Sequence, residues 1–343
     1  MQTYVKPVTT QTLAEGGALI RAGELVGMPT ETVYGLGGNA LDARAALRIF
    51  EAKGRPADNP LIVHVAAVEE VAPLVRAVPE AARRLMQAFW PGPMTLILPK
   101  ADCIPAEVSA GLDTVGIRLP RSAAARGLIR TAGVPIAAPS GNRSGRPSPT
   151  TAAHMLEDMD GRIPLILDGG PCEVGLESSV IDATGEIPVI LRPGGVTPEM
   201  VERLLGGVRV DEHVMSPLRE GEAVRSPGMK YKHYAPEART TIFEGEVQRV
   251  VPAICRAYDE ALAAGERPAI LGFDGHDFGG RTCISLGRAD RPQEAAARLF
   301  AALRELDERG ETVALCEAVD LAGIGLAVMN RMGRAAAFDI RQV

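Results

Sequence analysis

Three polar loops, each following a short apolar run, hold the residues of this chain that could do chemistry. The first is Pro29-Thr-Glu-Thr-Val-Tyr-Gly-Leu-Gly-Gly38, where Gly35, Gly37 and Gly38 permit close approach of backbone to a ligand. Its spacing matches neither the dinucleotide fingerprint nor the phosphate-binding P-loop, so a tight turn is the plainer reading. The second, Lys53-Gly-Arg-Pro-Ala-Asp-Asn-Pro60, sets an ammonium and a planar guanidinium one residue apart before two prolines. Such a pair grips polyphosphate, although a solvated helix end whose cations complement its dipole looks the same in sequence. The third, Pro139-Ser-Gly-Asn-Arg-Ser-Gly-Arg-Pro-Ser-Pro-Thr150, offers hydroxyls, an amide and two arginines on a proline-stiffened frame. That chemistry suits phosphate oxygens. Arg118 and Arg192 add two cations at strand ends, where ligands of open α/β sheets gather. Together these loops point to an anionic small ligand in a cleft; dispersed surface arginines are the alternative. Glu31 and Glu177 are a candidate acid/base pair, and His64, on the strand Leu61–Val65, reads first as a core histidine.

The elements that must position these loops are legible as alternating apolar runs and helical stripes. Strand-length runs occur at Glu24–Met28, Leu61–Val65, Met94–Leu98, Thr114–Leu119, Val134–Ala138, Ile163–Leu167, Ser179–Asp182 and Pro188–Leu191. Between them, Asp42–Lys53 places Ala43, Ala46, Leu47 and Phe50 at helical spacing with Asp42 as N-cap; Pro79–Trp90 and Ser122–Thr131 read similarly. In Leu61–Val65, alternation sends Leu61, Val63 and Val65 to one face and Ile62 and His64 to the other. Interleaved strands and helices predict an α/β layer fold, and the close spacing of the later strands predicts a mixed sheet with an antiparallel part.

The periodicity lapses near residue 206. A polar, proline-containing stretch from Asp211 to Ala238 reads as an interdomain linker, longer than the usual connection of ~4–6 residues. Strands at Thr240–Phe243 and Ala269–Phe273 follow, with helical stripes Val251, Ile254, Cys255, Tyr258, Leu262 and Ala296, Leu299, Phe300, Leu303. A second, smaller α/β domain is expected there.

Composition narrows the classes. At 343 residues, a prior of ~150 residues per domain gives two domains. Net charge is −6, which argues against holding nucleic acid by bulk positive charge. Five scattered cysteines without a CxxC pair exclude a zinc ribbon and fit reduced thiols in the cytoplasm. The N-terminus has no signal-peptide pattern, and no apolar run approaches the ~18 residues of a membrane span, so a soluble cytoplasmic protein is expected. There is no nucleophile elbow, no HExxH and no other cluster with metal-ligand spacing, so no protein-held metal is expected.

Taken in order, the loops resemble one family. Pro29-Thr-Glu-Thr-Val-Tyr-Gly-Leu, Lys53-Gly-Arg-Pro with Asn59-Pro-Leu, Trp90-Pro-Gly-Pro-Met-Thr, Pro139-Ser-Gly-Asn, Glu177-Ser-Ser and Leu191-Arg-Pro-Gly resemble the YrdC/Sua5 family of threonylcarbamoyl-AMP synthases. Ser226-Pro-Gly-Met-Lys-Tyr-Lys-His-Tyr-Ala-Pro236 and Gly323-Ile-Gly-Leu-Ala-Val-Met-Asn-Arg331 resemble the linker and second-domain signatures of its longer Sua5 branch. Gly141 stands where Ala is often found, a conservative departure.

The resemblance implies a twisted mixed sheet with helices around an anion-binding cleft over residues 1–206. It further implies a linker and candidate active-site lid over 207–238, and a Rossmann-like C-terminal α/β domain over 239–343. It implies conversion of L-threonine, bicarbonate and ATP, with Mg²⁺ on the triphosphate, to L-threonylcarbamoyladenylate and pyrophosphate, for use by a tRNA threonylcarbamoyl transferase. Threonine is then expected near Thr32, His64, Arg118, Ala138 and Ser178. ATP is expected near Lys53, Arg55, Asn59, Thr114, Ser140, Asn142, Ser148 and Arg192, with Tyr234 reaching in from the linker. Lys53, Arg55 and Arg118 carry the catalytic charge. No covalent intermediate is needed, which fits the absence of a nucleophile motif. Two other classes stand beside this one. An RNA-binding module, with weak tRNA contact, is disfavoured by the net charge and scarce aromatics. A carbamoyl-adenylate-forming enzyme would be expected to carry an acylphosphatase segment and zinc fingers, which this chain lacks.

Overall fold

The computed structural model of the chain describes residues 1–216 and 234–343. Most of the Ser226–Pro236 signature, and the lid expected of it, therefore lies outside the described residues. The chain divides into two compact units, Met1–Ser144 with Ser148–Lys230, and Gly145–Pro147 with Tyr231–Val343.

In the first unit the strands are β1 (Tyr4–Pro7), β2 (Val26–Met28), β3 (Gly35–Asn39), β4 (Ile62–His64), β5 (Met94–Pro99), β6 (Thr114–Arg118), β7 (Ile136–Ala137), β8 (Leu165–Asp168), β9 (Ser179–Asp182), β10 (Val189–Arg192) and β11 (Arg209–Val210). Its helices are α1 (Thr10–Arg21), α2 (Ala43–Lys53), α3 (Glu80–Phe89), α4 (Ala106–Ser109), α5 (Ala123–Ala132), α6 (Ala152–Met159) and α7 (Pro198–Leu205). The strands form one sheet in the order β1-β8-β2-β3-β7-β4-β6-β5-β9-β10-β11. Parallel pairs such as β4/β6 and β5/β9 are mixed with antiparallel pairs such as β5/β6 and β9/β10, so the sheet is mixed, as the strand spacing predicts.

Two-residue alternation gives this sheet two different faces. Val63, Leu96, Leu98, Val115, Ile117, Ile181 and Ile190 point into the main core with Ile49, Phe50, Leu85 and Met86 of α2 and α3. On the other face, α1 and α5 cover Val26, Met28, Ile136 and Leu165. Further along that face lies a small apolar patch of Ile62, Ile97, Val180 and Leu191. Register places His64 beside Arg118, Arg118 opposite Thr95, and Thr95 beside Val180, so these polar side chains share the patch's face.

Two local readings are corrected. The glycine-rich segment Gly35–Asn39 is not a tight turn but strand β3, paired antiparallel to both β2 and β7 inside the sheet. Its glycines answer to packing: a Cβ on Gly37 would stand 3.0 Å from Ile136, and one on Gly38 would stand 3.0 Å from Leu25 and 3.2 Å from Ile49. In α2, Asp42 does cap the helix, accepting from the Arg44 N–H, but the buried face is Ala45, Ala46, Ile49 and Phe50, whereas Leu47 is 49% exposed. Both stripes have helical spacing, and the slot left by Gly38 beneath Ile49 selects between them. The β1–α1 segment, with Thr9 and Thr12 forming a capping box, was not legible as a strand and helix in the sequence.

In the second unit, β12 (Arg239–Glu244), β13 (Pro268–Gly272), β14 (Cys283–Ser285), β15 (Val313–Glu317) and β16 (Ile340–Gln342) form a parallel sheet in the order β14-β13-β15-β12-β16. Helices α8 (Val247–Ala263), α9 (Pro292–Arg309) and α10 (Gly325–Ala335) connect them. The expected stripe Ala296, Leu299, Phe300, Leu303 is buried, while α8 turns Val250, Ala253, Ile254, Tyr258 and Ala261 inward and leaves Leu262 57% exposed.

The α1–α5 contact bears on the site because α5 begins beside Glu31. A Cβ on Gly17 would fall 2.7 Å from the Thr131 carbonyl carbon, which is backbone and cannot swing away. Gly17→Ala should therefore destabilise the fold by about 1–3 kcal/mol, read as a lower urea midpoint. An unchanged midpoint would contradict the close approach.

Candidate active site

Arg118 ends β6 and is 4% exposed. A guanidinium stays charged, so burying it requires acceptors. Its Nη2 donates to Glu31 Oε1 at 2.7 Å, its Nη1 to Thr32 Oγ1 at 2.9 Å and its Nε to the Gly92 carbonyl at 3.4 Å. Thr30 Oγ1 donates to the Val33 carbonyl at 2.7 Å and stands 2.8 Å from Thr32 Oγ1, so the Thr32 hydroxyl donates to Thr30 while accepting from Arg118. Glu31 also accepts from the Ser122 N–H at the start of α5, at 3.2 Å. Burial alone would raise the Glu31 carboxyl, but the charge and hydrogen bond of Arg118 outweigh it and hold the group at about 2. Glu31 is thus the ionised partner that orients Arg118.

His64 sits beside Arg118 on the same face. Burial, reinforced by the Arg118 charge, pushes its imidazolium down to about 3, so the ring is neutral at working pH. Its Nδ1 lies 3.1 Å from the Ile62 carbonyl, which can only accept; the proton is assigned to Nδ1, and Nε2 becomes an acceptor. The core-histidine reading describes its surroundings, since the neutral ring is buried and held by backbone at Ile62 and Ile136, and the ligand reading rests on its place beside Arg118.

A β-bulge brings Arg192 to this face. Ile190 pairs with Ile181 and Arg192 with Val180, leaving one extra residue in β10 between them. Strict alternation would put Arg192 on the core side with Ile190. Arg192 then donates from Nε to the Ser178 carbonyl at 3.0 Å and from Nη2 to Ser178 Oγ at 3.2 Å. Ser178 Oγ is also 2.8 Å from Thr95 Oγ1, which links this group to the strand pair carrying Arg118. Glu177 accepts from Ser148 at 2.5 Å. Glu31 is thus engaged by Arg118 and Ser122, and Glu177 by Ser148.

The second and third loops are fastened to each other. Lys53 is 3% exposed, and its Nζ is directed at the carbonyls of Ser140 (2.5 Å) and Asn142 (2.7 Å) and at Asn142 Oδ1 (3.3 Å). Burial, with help from the Arg55 charge, brings its ammonium down to about 7, while Asp158 and Glu177 pull the other way. Lys53 therefore positions the Ser140–Asn142 turn from beneath. Arg55 donates from Nη2 to the Asn59 carbonyl at 3.1 Å and lies 5.6 Å from the Phe50 ring centroid. The Asn59 amide is fully buried, and neither Oδ1 nor Nδ2 has a hydrogen-bond partner among the described residues. The first loop joins the third through Tyr34 N–H to Pro149 O, Gly141 N–H to Tyr34 O and Leu36 N–H to Pro139 O. Ala138 is buried immediately before that third loop. Thr114 shares the face of Gly116 and Arg118, beside Ile62, Thr95 and Val180.

Tyr234 belongs to the second unit, where its ring centroid is 5.1 Å from that of Phe300 and the Arg331 guanidinium lies 6.0 Å from it. Thr30 and Thr95 are the polar groups that sequence reasoning missed. A lone hydroxyl inside the apolar run Met94–Leu98 was the available signal for Thr95. Among the described residues, no group of three or more His, Cys, Asp or Glu could hold a metal ion. No helix among them is long and apolar enough to cross a membrane.

A mixed sheet whose one face gathers fixed guanidinium groups, a neutral imidazole and buried hydroxyls marks an α/β enzyme suited to anionic substrates. The Sua5–YciO–YrdC family model, described as telomere recombination, matches residues 18–194, and the model described as threonylcarbamoyl-AMP synthase, C-terminal domain, matches residues 196–337. The chain is similar to the threonylcarbamoyl-AMP synthases of Pyrococcus abyssi (46% identity, 94% of each chain) and Bacillus subtilis (46% identity, 94% of this chain and 92% of the relative). It is also similar to the structure of P. abyssi Sua5 complexed with L-threonine, with a TM-score of 0.94 and 44% identity over 100% of this chain and 99% of that one. The chain belongs to the Sua5–YciO–YrdC family, in its two-domain form.

Two outcomes test this geometry. The Glu31 carboxyl lies lower in the folded state (about 2) than its ordinary 4.5, so its stabilising contribution is complete above that value and is lost as pH falls towards 2. Between pH 5 and pH 3 the loss should be about 2 kcal/mol, and urea titrations of Glu31→Gln should lack that component. Lys53→Met should cost about 1–3 kcal/mol by leaving the Ser140 and Asn142 carbonyls without their donor. Wild-type stability in Lys53→Met would refute the clamp.

Proposed function

We propose that this protein joins L-threonine, bicarbonate and ATP into L-threonylcarbamoyladenylate and releases pyrophosphate. The observation that carries this reading is the buried Arg118, held by Glu31 and Thr32 beside neutral His64, in a chain whose full-length relatives are threonylcarbamoyl-AMP synthases. Among the described residues three of the five N–H groups of Arg118 have partners, one on each nitrogen, which leaves one N–H on each terminal nitrogen to donate to a carboxylate. Arg118 takes the threonine carboxylate there. Thr32, His64 Nε2, Ala138 and Ser178 surround the amine, hydroxyl and methyl.

The threonine amine and bicarbonate give a carbamate and water. A carbamate oxygen then attacks the α-phosphorus of MgATP; the new O–P bond forms as the bond to the β-phosphate oxygen breaks, and pyrophosphate leaves. No protein nucleophile takes part. Arg55, Thr114, Ser140, Asn142, Ser148 and Arg192 hold the nucleotide, and the Asn59 amide gains from it the hydrogen bonds it lacks. Mg²⁺ arrives with ATP as part of the substrate, its charge shared mainly with phosphate oxygens and water. Lys53 acts through the Ser140–Asn142 turn. The product serves a cytoplasmic transferase that modifies the adenosine beside the tRNA anticodon.

The test is incubation with ATP, Mg²⁺ and bicarbonate, with and without L-threonine, followed by chromatography. Pyrophosphate and a threonylcarbamoyl-adenylate peak should both require threonine and bicarbonate. Product formed equally without threonine would overturn the reading. Losing a buried bidentate contact costs about 2–5 kcal/mol, so Arg118→Ala should raise the KM for threonine at least tenfold more than that for ATP. Equal increases would remove Arg118 from the carboxylate site.

A further inference from the structure

A cavity of about 620 Å³ opens in the first unit between the segment Val68–Val78 and helix α3. Its size falls in the range of small-molecule sites, roughly 300–1,000 Å³. Val71, Val75, Met86 and Trp90 are its buried apolar lining, and Val68 extends the apolar surface to the solvent. The Trp90 indole N–H donates to the Met94 carbonyl at 2.7 Å, so its polar atom is satisfied. The charged residues among those lining the cavity are Arg76 and Arg83, both basic. Arg76 reaches the Asp113 carbonyl only at 3.4 Å, and Arg83 has Glu80 at 3.6 Å on its own helix, so both cations are held loosely at the surface. None of the residues placed at the threonine or nucleotide site lines this cavity.

We propose that this cavity is a second binding site that takes a small amphipathic anion: an apolar body on the Val71–Val75–Met86–Trp90 lining and an anionic head on Arg76 and Arg83. An apolar lining without charge would take any hydrophobe; the two rim cations, of which Arg83 has Glu80 as a neighbour outside the lining, select an acid over an amine of the same length. Trp90 also begins the turn whose Gly92 carbonyl accepts from Arg118 Nε, so an occupant rests against the residue that leads into the active-site loop.

The chain contains one tryptophan, so intrinsic fluorescence reports on this cavity wall. The full-length protein is titrated with decanoate below its micelle concentration, and with decyltrimethylammonium as the charge-reversed control. Decanoate should give a saturable change in Trp90 emission at one site per chain, and the ammonium should give none. The Arg76→Glu/Arg83→Glu variant, altered only at exposed positions, should bind decanoate at least tenfold more weakly with an unchanged urea midpoint. L-threonine should leave the wild-type decanoate curve in place. The proposal is overturned by no saturable change with decanoate, by equal binding of the ammonium, by full affinity in the charge-reversed variant, or by displacement with L-threonine, which would assign the acid to the Arg118 site. The wild-type titrations decide even if the variant does not fold.

Discussion

A guanidinium that cannot lose its proton is buried at the end of β6, and the site is built around satisfying it. Arg118 needs an anion and oxygen acceptors within reach, and these come from Glu31 and Thr32 on one loop and Gly92 on another. Glu31 is in turn anchored by the first turn of α5. Three segments distant in sequence, around Glu31, Gly92 and Arg118, are therefore held together by one guanidinium. Ion pairs of this kind are costly to desolvate and costly to break, so their value lies in geometry more than in stability. Burial keeps His64 neutral and the same charge reinforces it, so the buried cation acts on the protonation of both neighbours.

The remaining cations follow a common scheme. Lys53, Arg55 and Arg192 each rest on backbone carbonyls, of the Ser140–Asn142 turn, Asn59 and Ser178 respectively. Carbonyl oxygens orient a cation by hydrogen bonds, so these side chains are fixed in advance. That is the arrangement expected for a reaction in which charge builds up on phosphate oxygens and no covalent intermediate forms. The fully buried Asn59 amide, which has no partner among the described residues, belongs to the same preorganisation.

Packing supplies the precision. Glycines 37 and 38 lie in an extended strand because Ile136, Leu25 and Ile49 occupy the space of their side chains, and Gly17 lets α1 press on the backbone of α5. The cavity beside Trp90 is the counterexample, a place in the same unit where apolar side chains face each other across open space.

Most central strands of the first unit, the alternation that put His64 and Ile62 on one face, the Asp42 cap and the polar loops with their cations were determined by the sequence alone, because period, capping and turn chemistry are local properties; the β1–α1 segment and β3 were not. The motifs also carried the family. Tertiary structure decided what local patterns leave degenerate. Two helical stripes fit α2 equally well until Gly38 offered a slot for Ile49. A glycine-rich segment reads as a turn until strands β2 and β7 flank it. Alternation would send Arg192 into the core, and a single extra residue opposite Ile181 and Val180 turns it to the site. Lys53 reads as a phosphate grip until its three N–H groups are found on the Ser140–Asn142 turn. Each of these outcomes depends on what lies across the sheet from the residue, and residues that face each other there are separated along the chain by distances that no local pattern encodes.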